Sequence, residues 1–235
     1  MTPGLLTALI DATWPAARVD TVGPWTIRTG AGGGSRVSAA SARRPAATEA
    51  LPRAEAAMRA RDQTPLFMVR AGETALDAQL AGRGYAIKDP VTAYMLPAAP
   101  TAEVSEVEER WPPLPAQEAI WRAGGIGPSR LDIMGRVSGP RTSLLGRIDG
   151  KPAATAFVAT AGEVAMLHAL ETADPFRRKG LGRAMVQAAV AWAHEQGAGT
   201  LAILVTTANT PANSLYASLG GQRSTGYHYR ILQDA

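Results

Sequence analysis

An α/β fold is predicted for this chain of 235 residues, and three patterns carry the prediction. Two apolar hairpins follow one another over residues 142–171. A long helical repeat then starts directly after a glycine-containing loop. Strand and helix candidates alternate from there to the end, giving the order β-β-β-α-β-α-β.

The N-terminal part is less regular. Leu5 to Trp14 reads as a helix, Trp25 to Arg28 as an extended segment and Ala46 to Arg61 as a helix. Leu66 to Arg70 follows as a strand, Thr74 to Leu80 as a helix, and Tyr85 to Leu96 as an extended segment. The glycines from Gly30 to Gly34 precede no clear helix and read as a flexible loop. The unit that closes on Gly82 and Gly84 echoes the one that closes on Gly220, which suggests a degenerate internal repeat.

Between Leu96 and Ala116 lie Pro97, Pro100, Pro112, Pro113 and Pro115, interleaved with Glu103, Glu106, Glu108 and Glu109. Proline removes backbone donors and like charges resist a packed face, so this stretch reads as a connector. The expected organisation is an N-terminal domain over 1–98, a linker over 99–116 and a second domain over 117–235.

The second domain opens with helices near Gln117 to Arg122 and Ser129 to Val137. Strands follow at Thr142 to Ile148, Ala153 to Thr160 and Glu163 to Glu171, joined by the turn signals Asp149-Gly150 and Ala161-Gly162. Leu181, Met185, Ala189 and Trp192 recur at helical spacing, with Gly197 at the position of a C-terminal stop. Thr200 to Thr206 is an apolar strand. Asn209 or Thr210 caps a short helix with Pro211 in its first turn, and Gly226 to Leu232 closes the chain.

Composition narrows the chemistry. Cysteine is absent, which excludes disulfides, thiolate metal sites and a cysteine nucleophile. With three histidines, a histidine-rich metal centre is not expected. The net charge of +4 comes without a basic run interleaved with aromatics, so nucleic acid is not an expected partner. No apolar stretch long enough to cross a membrane and no leader pattern is seen, and a cytoplasmic protein without membrane association, monomeric or homodimeric, is expected.

The informative stretch is Thr172-Ala173-Asp174-Pro175-Phe176-Arg177-Arg178-Lys179-Gly180-Leu181-Gly182-Arg183-Ala184. A strand end leads into three cations and then two glycines at a helix start. Glycine permits a close approach, and the unpaired N–H groups of a first helical turn favour an anion. The ATPase P-loop spacing is missing, and a Rossmann turn lacks its third glycine here.

These residues resemble a known family. Arg177-Arg178-Lys179-Gly180-Leu181-Gly182 matches the Q/R-x-x-G-x-G/A signature of the GNAT superfamily, the acetyl-CoA-dependent N-acetyltransferases. Asn209, Ala212, Leu215, Tyr216 and Gly220 match its companion N-x-x-A-x-x-L-Y-x-x-x-G. The resemblance covers about Leu131 to Leu232, and the N-terminal half looks like the divergent partner domain of tandem GNAT proteins. It implies a mixed, mainly antiparallel sheet flanked by helices, in a pseudo-tandem arrangement. It also implies acetyl-CoA as cosubstrate, no metal, and an amine acceptor that is a small molecule or peptide.

By the same resemblance, the backbone from Arg178 through Ala184 holds the coenzyme pyrophosphate, with Arg177, Arg178, Lys179 and Arg183 adding charge. Leu170 to Thr172 pairs with the pantetheine arm, Asn209 hydrogen-bonds it, and Tyr216 protonates the departing thiolate. Ala81 stands near the position equivalent to Tyr216 in the N-terminal half, so one active site per chain is expected. The base is open: family positions for a glutamate correspond here to Met166 and Leu204. His168 is favoured by its pKa range, with Glu171 second and a purely structural histidine as the alternative. Val164, Met166, His168 and Leu170 share one strand parity. A non-catalytic acyl-CoA-binding module is the alternative to an enzyme.

Overall fold

The computed structural model describes residues 1–44, 49–101 and 106–232. The N-terminal half contributes α1 (Pro3–Thr13), β1 (Arg18–Val22), β2 (Trp25–Thr29), α2 (Ser35–Ser38), β3 (Ala40–Ala42), α3 (Leu51–Arg59), β4 (Leu66–Arg70), α4 (Thr74–Gly82) and β5 (Tyr85–Pro97). The C-terminal half contributes β6 (Val107–Arg110), α5 (Pro115–Ala123), α6 (Pro128–Arg136), β7 (Arg141–Ile148), β8 (Lys151–Ala161) and β9 (Val164–Thr172). After a 3-10 turn at Asp174–Phe176 come α7 (Leu181–Glu195), β10 (Thr200–Thr206), α8 (Thr210–Ser218) and β11 (Gln222–Leu232).

All strands form one sheet in the order β1-β2-β3-β4-β11-β5-β10-β9-β8-β7-β6. The β1-β2-β3 strands pair antiparallel and β3 meets β4 in parallel. The β7-β8-β9 strands pair antiparallel and β9 meets β10 in parallel. The two halves thus repeat one pairing scheme from opposite ends of the sheet, and they exchange strands where they meet. β11 lies between β4 and β5, and β5 lies between β11 and β10. The mixed, mainly antiparallel sheet flanked by helices is as expected from the sequence.

The helices pack by their apolar faces. Leu181, Met185, Ala189 and Trp192 of α7 are buried against Leu144, Ala154, Leu167 and Leu201, the helical spacing read from the sequence. On the opposite sheet face Leu6, Leu9 and Ile10 of α1 join Met166, Ala202, Tyr227 and Tyr229. α1 belongs to the N-terminal half but covers C-terminal strands. In the N-terminal half, Leu51, Ala54 and Met58 of α3 cover Trp25, Phe67 and Val69.

Several sequence expectations need correction. The Pro/Glu-rich segment is not wholly a connector: Val107–Arg110 adds an edge strand to β7, and Ser143 Oγ donates to the Arg110 carbonyl. The proline density hid a strand of four residues. Glu103 lies outside the described residues, as do the first residues of the helix expected over 46–61. The strands β1 and β3 and the short α2 were not foreseen, because short segments carry too few residues to show a period. The glycine-rich stretch is close-packed rather than open, since a Cβ at Gly33 would collide with Ile133 and Val37.

Because each half completes its sheet with a strand from the other, neither has a finished edge alone. Expressed separately, residues 1–98 and 99–235 are expected to be unfolded or aggregated, and to recover a folded complex when mixed. Circular dichroism and gel filtration of each fragment check this; two independently folded fragments contradict it.

Candidate functional site

The site begins where a strand pair parts. β9 and β10 are paired only over Val164–Leu167 and Thr200–Ile203. Beyond that point they diverge around a cavity of about 260 Å³ bounded by His168, Leu170, Leu204, Thr206, Asn209 and Tyr216, among others. The divergence coincides with a bulge in β9, where the register to β8 shifts between Thr155 and Phe157. Ala169 takes φ +51° there, a conformation costly for a residue with a side chain.

The bulge is held from α5. Trp121, fully buried, donates its Nε1–H to the Ala169 carbonyl at 2.7 Å. One turn earlier the buried Gln117 donates to Ser143 Oγ at 3.0 Å and Thr155 Oγ1 at 3.3 Å, while its Oε1 accepts from the Leu114 amide. The spacing of four residues puts both side chains on one helix face. Sequence reasoning did not assign these roles; the available signal was that spacing.

The bulge also overturns the simple parity reading of β9. Met166 and the imidazole of His168 face α1, where His168 stacks on Trp14 with ring centroids 4.8 Å apart. Leu170 instead packs on the α7 side. One extra residue in the strand flips everything after it to the other face.

The structure also argues against His168 as the proton acceptor. Its Nδ1 accepts from Arg36 Nη1 at 3.2 Å, and its Nε2–H donates to Thr13 Oγ1 at 3.0 Å. Thr13 in turn donates to the Leu9 carbonyl at 2.8 Å. This network assigns the neutral tautomer with the proton on Nε2, leaving neither nitrogen free. Burial, with the Arg36 charge second, holds its pKa well below the ordinary 6.5. Glu171 sits below the bulge, ion-paired to Arg177 at 3.1 Å and packed on Gly124 so closely that a Cβ there would lie 2.6 Å from its carboxyl group. It faces the basic loop and not the cavity around Tyr216.

Tyr216 is buried beside Tyr94, and burial pushes its phenol up to about 12. No hydrogen bond occupies its hydroxyl among the described residues. Asn209 caps α8 by accepting from the Ala212 amide at 3.2 Å. Asn209 and Leu170 also line a second cavity of about 610 Å³, so the two cavities share a wall.

That second cavity is the mouth of the basic loop, with Thr172, Arg177, Arg178, Gly180, Leu181, Gly182 and Arg183 among its lining. Gly180 is in the left-handed region at φ +83° and starts α7. The Gly180 carbonyl accepts from Arg183 at 3.0 Å and from Ala184 at 3.3 Å. Those two amides are therefore used by the helix, which narrows the expected anion donors from Arg178–Ala184 to Arg178–Gly182. A Cβ on Gly182 would lie 3.3 Å from Leu215, so glycine lets α7 and α8 approach at the loop. The Lys179 ammonium lies 5.5 Å from the ring centroid of Phe176, itself part of this cavity's wall. Free amides, a helix N-terminus and three lining arginines fit a phosphorylated ligand.

The acetyltransferase (GNAT) family profile matches residues 101–220. The chain belongs to this family. Its structural relatives include a GCN5-related N-acetyltransferase from Kribbella flavida, with TM-score 0.75 and 20% identity over 99% of this chain and 96% of that one. A tandem GNAT protein from the clavulanic acid biosynthesis pathway aligns with TM-score 0.57 and 15% identity over 83% of this chain and 74% of that one. A GCN5-related N-acetyltransferase from Sphaerobacter thermophilus gives 0.60 at 15% identity, covering 78% of this chain and 66% of that one. At these identities the likeness is one of GNAT fold. No curated protein matches the chain. Among the described residues no group of three or more metal-ligating side chains is placed to hold a metal, and no helix is long and apolar enough to cross a membrane.

The neutral His168 gives the fold an acid sensitivity. Its folded-state pKa is depressed, so below about pH 6.5 the unfolded chain takes up a proton that the folded one resists. Stability is expected to fall by about 1.4 kcal/mol per pH unit from this group as pH drops below 6.5. Urea unfolding of His168→Asn between pH 7.5 and 5 should give a flatter pH dependence than the parent; parallel curves contradict the network.

Proposed function

We propose that the protein is an acetyl-CoA-dependent N-acetyltransferase that passes an acetyl group directly to a primary amine. The carrying observation is that two adjoining cavities, one at the basic loop and one beneath Tyr216, share Leu170 and Asn209 in their walls. The first suits a pyrophosphate and the second a thioester at the end of an extended arm. We further propose that 1–98 is a degenerate GNAT-like half, 99–116 the connection and 117–235 the catalytic half. The repeated strand pairing supports this.

Acetyl-CoA supplies the activated acyl group as a thioester. The free amides of Arg178 to Gly182, with Arg177, Arg178 and Arg183, bind its pyrophosphate. Strand residues Leu170 to Thr172 and Asn209 guide the arm into the gap between β9 and β10. Backbone amides at the bulge stabilise charge on the carbonyl oxygen. The Tyr216 phenol, pushed up to about 12 by burial, stays protonated at neutral pH and can donate its proton to the leaving sulfur.

The amine must arrive neutral. An alkylamine with pKa near 10.4 is unprotonated in roughly one molecule per 2,500 at pH 7, a penalty of about 4.6 kcal/mol. With both His168 nitrogens engaged, the proton leaves through water or with selection of the neutral amine from solution.

Two substitutions test the two cavities. Gly182→Asp places a carboxylate in the loop against Leu215 and should weaken acetyl-CoA binding by at least about tenfold; calorimetry with unchanged affinity removes the assignment. Tyr216→Phe should retain that affinity and lower kcat by about 10²–10⁴-fold, read as free thiol release with a panel of amines. Tight acetyl-CoA binding without turnover, indifferent to Tyr216→Phe, instead supports a non-catalytic acyl-CoA-binding module.

A further inference from the structure

A third cavity of about 470 Å³ lies between the halves and shares Arg36, Val91, Ala169 and Thr206 with the cavity beneath Tyr216. It therefore adjoins that cavity through residues other than Leu170 and Asn209, which border the basic loop. Its walls come from both halves: Trp14, Gly34, Arg36 and Lys88 from the first, Ile126 and Arg130 from the second. We infer that this cavity receives the acceptor, and that the acceptor is a small amine that also carries a carboxylate. The inference rests on the acetyltransferase reading and names the substrate class of that site.

The charge balance carries it. Arg36, Lys88 and Arg130 line the cavity against a single carboxylate, Asp89, which is exposed. None of the three cations forms a salt bridge among the described residues. Arg36 donates from Nη1 to the neutral His168, and its Nε is buried with no hydrogen-bond partner. Arg130 donates from Nη1 to the Gly125 carbonyl at 2.7 Å, leaving its other nitrogens for a ligand. Three cations on one cavity wall without a carboxylate partner favour an anionic ligand group, and a planar carboxylate matches the open guanidinium edge of Arg130.

Arg36 also stands at the junction of the two cavities. A cation there disfavours an ammonium nearby and so favours the neutral amine needed for attack. The same charge opposes a polyamine, whose remaining ammonium groups would have to sit among the three cations. Trp14, Val91, Ile126 and Tyr229 supply apolar wall for the body of the acceptor. His168 is in this account a positioning residue: its neutral Nδ1 fixes the Arg36 head without cancelling its charge. The coenzyme's own phosphates are served at the far end by Arg177, Arg178 and Arg183, so they do not account for this second basic group.

The test is thiol release from acetyl-CoA with matched acceptors, each L-amino acid against the amine lacking its carboxylate, such as L-phenylalanine against phenethylamine, with spermidine alongside. At least one amino acid should exceed its partner by about tenfold or more in kcat/KM, the factor expected for a charge-assisted pair. Arg130→Gln and Lys88→Gln, both at partly exposed positions, should each shrink that ratio severalfold by raising KM for the amino acid. Equal or faster use of the amines without carboxylate, a preference for spermidine, or a ratio unmoved by both variants overturns the inference. So does acetyl-CoA binding with no release from any acceptor, which leaves the coenzyme site standing. Failure to bind acetyl-CoA overturns the acetyltransferase reading as well.

Discussion

Strand β5 is paired on both edges by strands of the other half of the chain, with a break at Asp89 and Pro90. β10 takes one edge from Val91 to Pro97, and β11 takes the other edge from Tyr85 to Met95. Backbone donors and acceptors in the centre of a sheet have no water to turn to, so this pairing is obligatory once the sheet forms. It ties two half-sheets into one and fixes where α1, Arg36 and Trp14 arrive relative to β9. The cavity beneath Tyr216 and the one between the halves both depend on that placement.

The second constraint is the bulge at Ala169. A residue in the left-handed region weakens the ladder locally, and the structure compensates with the Trp121 indole on the freed carbonyl. The neighbouring strands then separate instead of closing, and the cavity in the gap shares wall residues with both the basic-loop cavity and the interface cavity. Strain of this kind is commonly concentrated at functional sites. Here α5 supplies its support from outside the family's two sequence signatures.

Positive charge is gathered in two groups, one at the basic loop and one at the interface cavity. Arg177, Arg178 and Arg183 surround the loop, Arg36, Lys88 and Arg130 surround the interface cavity, and Tyr216, Asn209 and neutral His168 lie between. This grouping brings Arg36 to the cavity beneath Tyr216 as well. It also explains why the overall charge of +4 says little by itself: the positions of the cations matter more than their excess.

The sequence alone determined the elements with strong periods and the basic glycine loop at the start of α7. α7, β10, β4 and the hairpins were legible because their apolar spacing and turn residues are local properties, and Gly180 and Gly182 mark a helix start within six residues. Tertiary structure decided the rest. The exchange of β5 and β11 has no local signature, because edge pairing depends on which strand is nearby after folding. The bulge reversed the parity read for Leu170, and Arg36 met His168 across 132 residues, making a candidate base into a support for a cation. Helix and strand formation are settled by neighbours in sequence, whereas the proton state and orientation of a side chain are settled by neighbours in space.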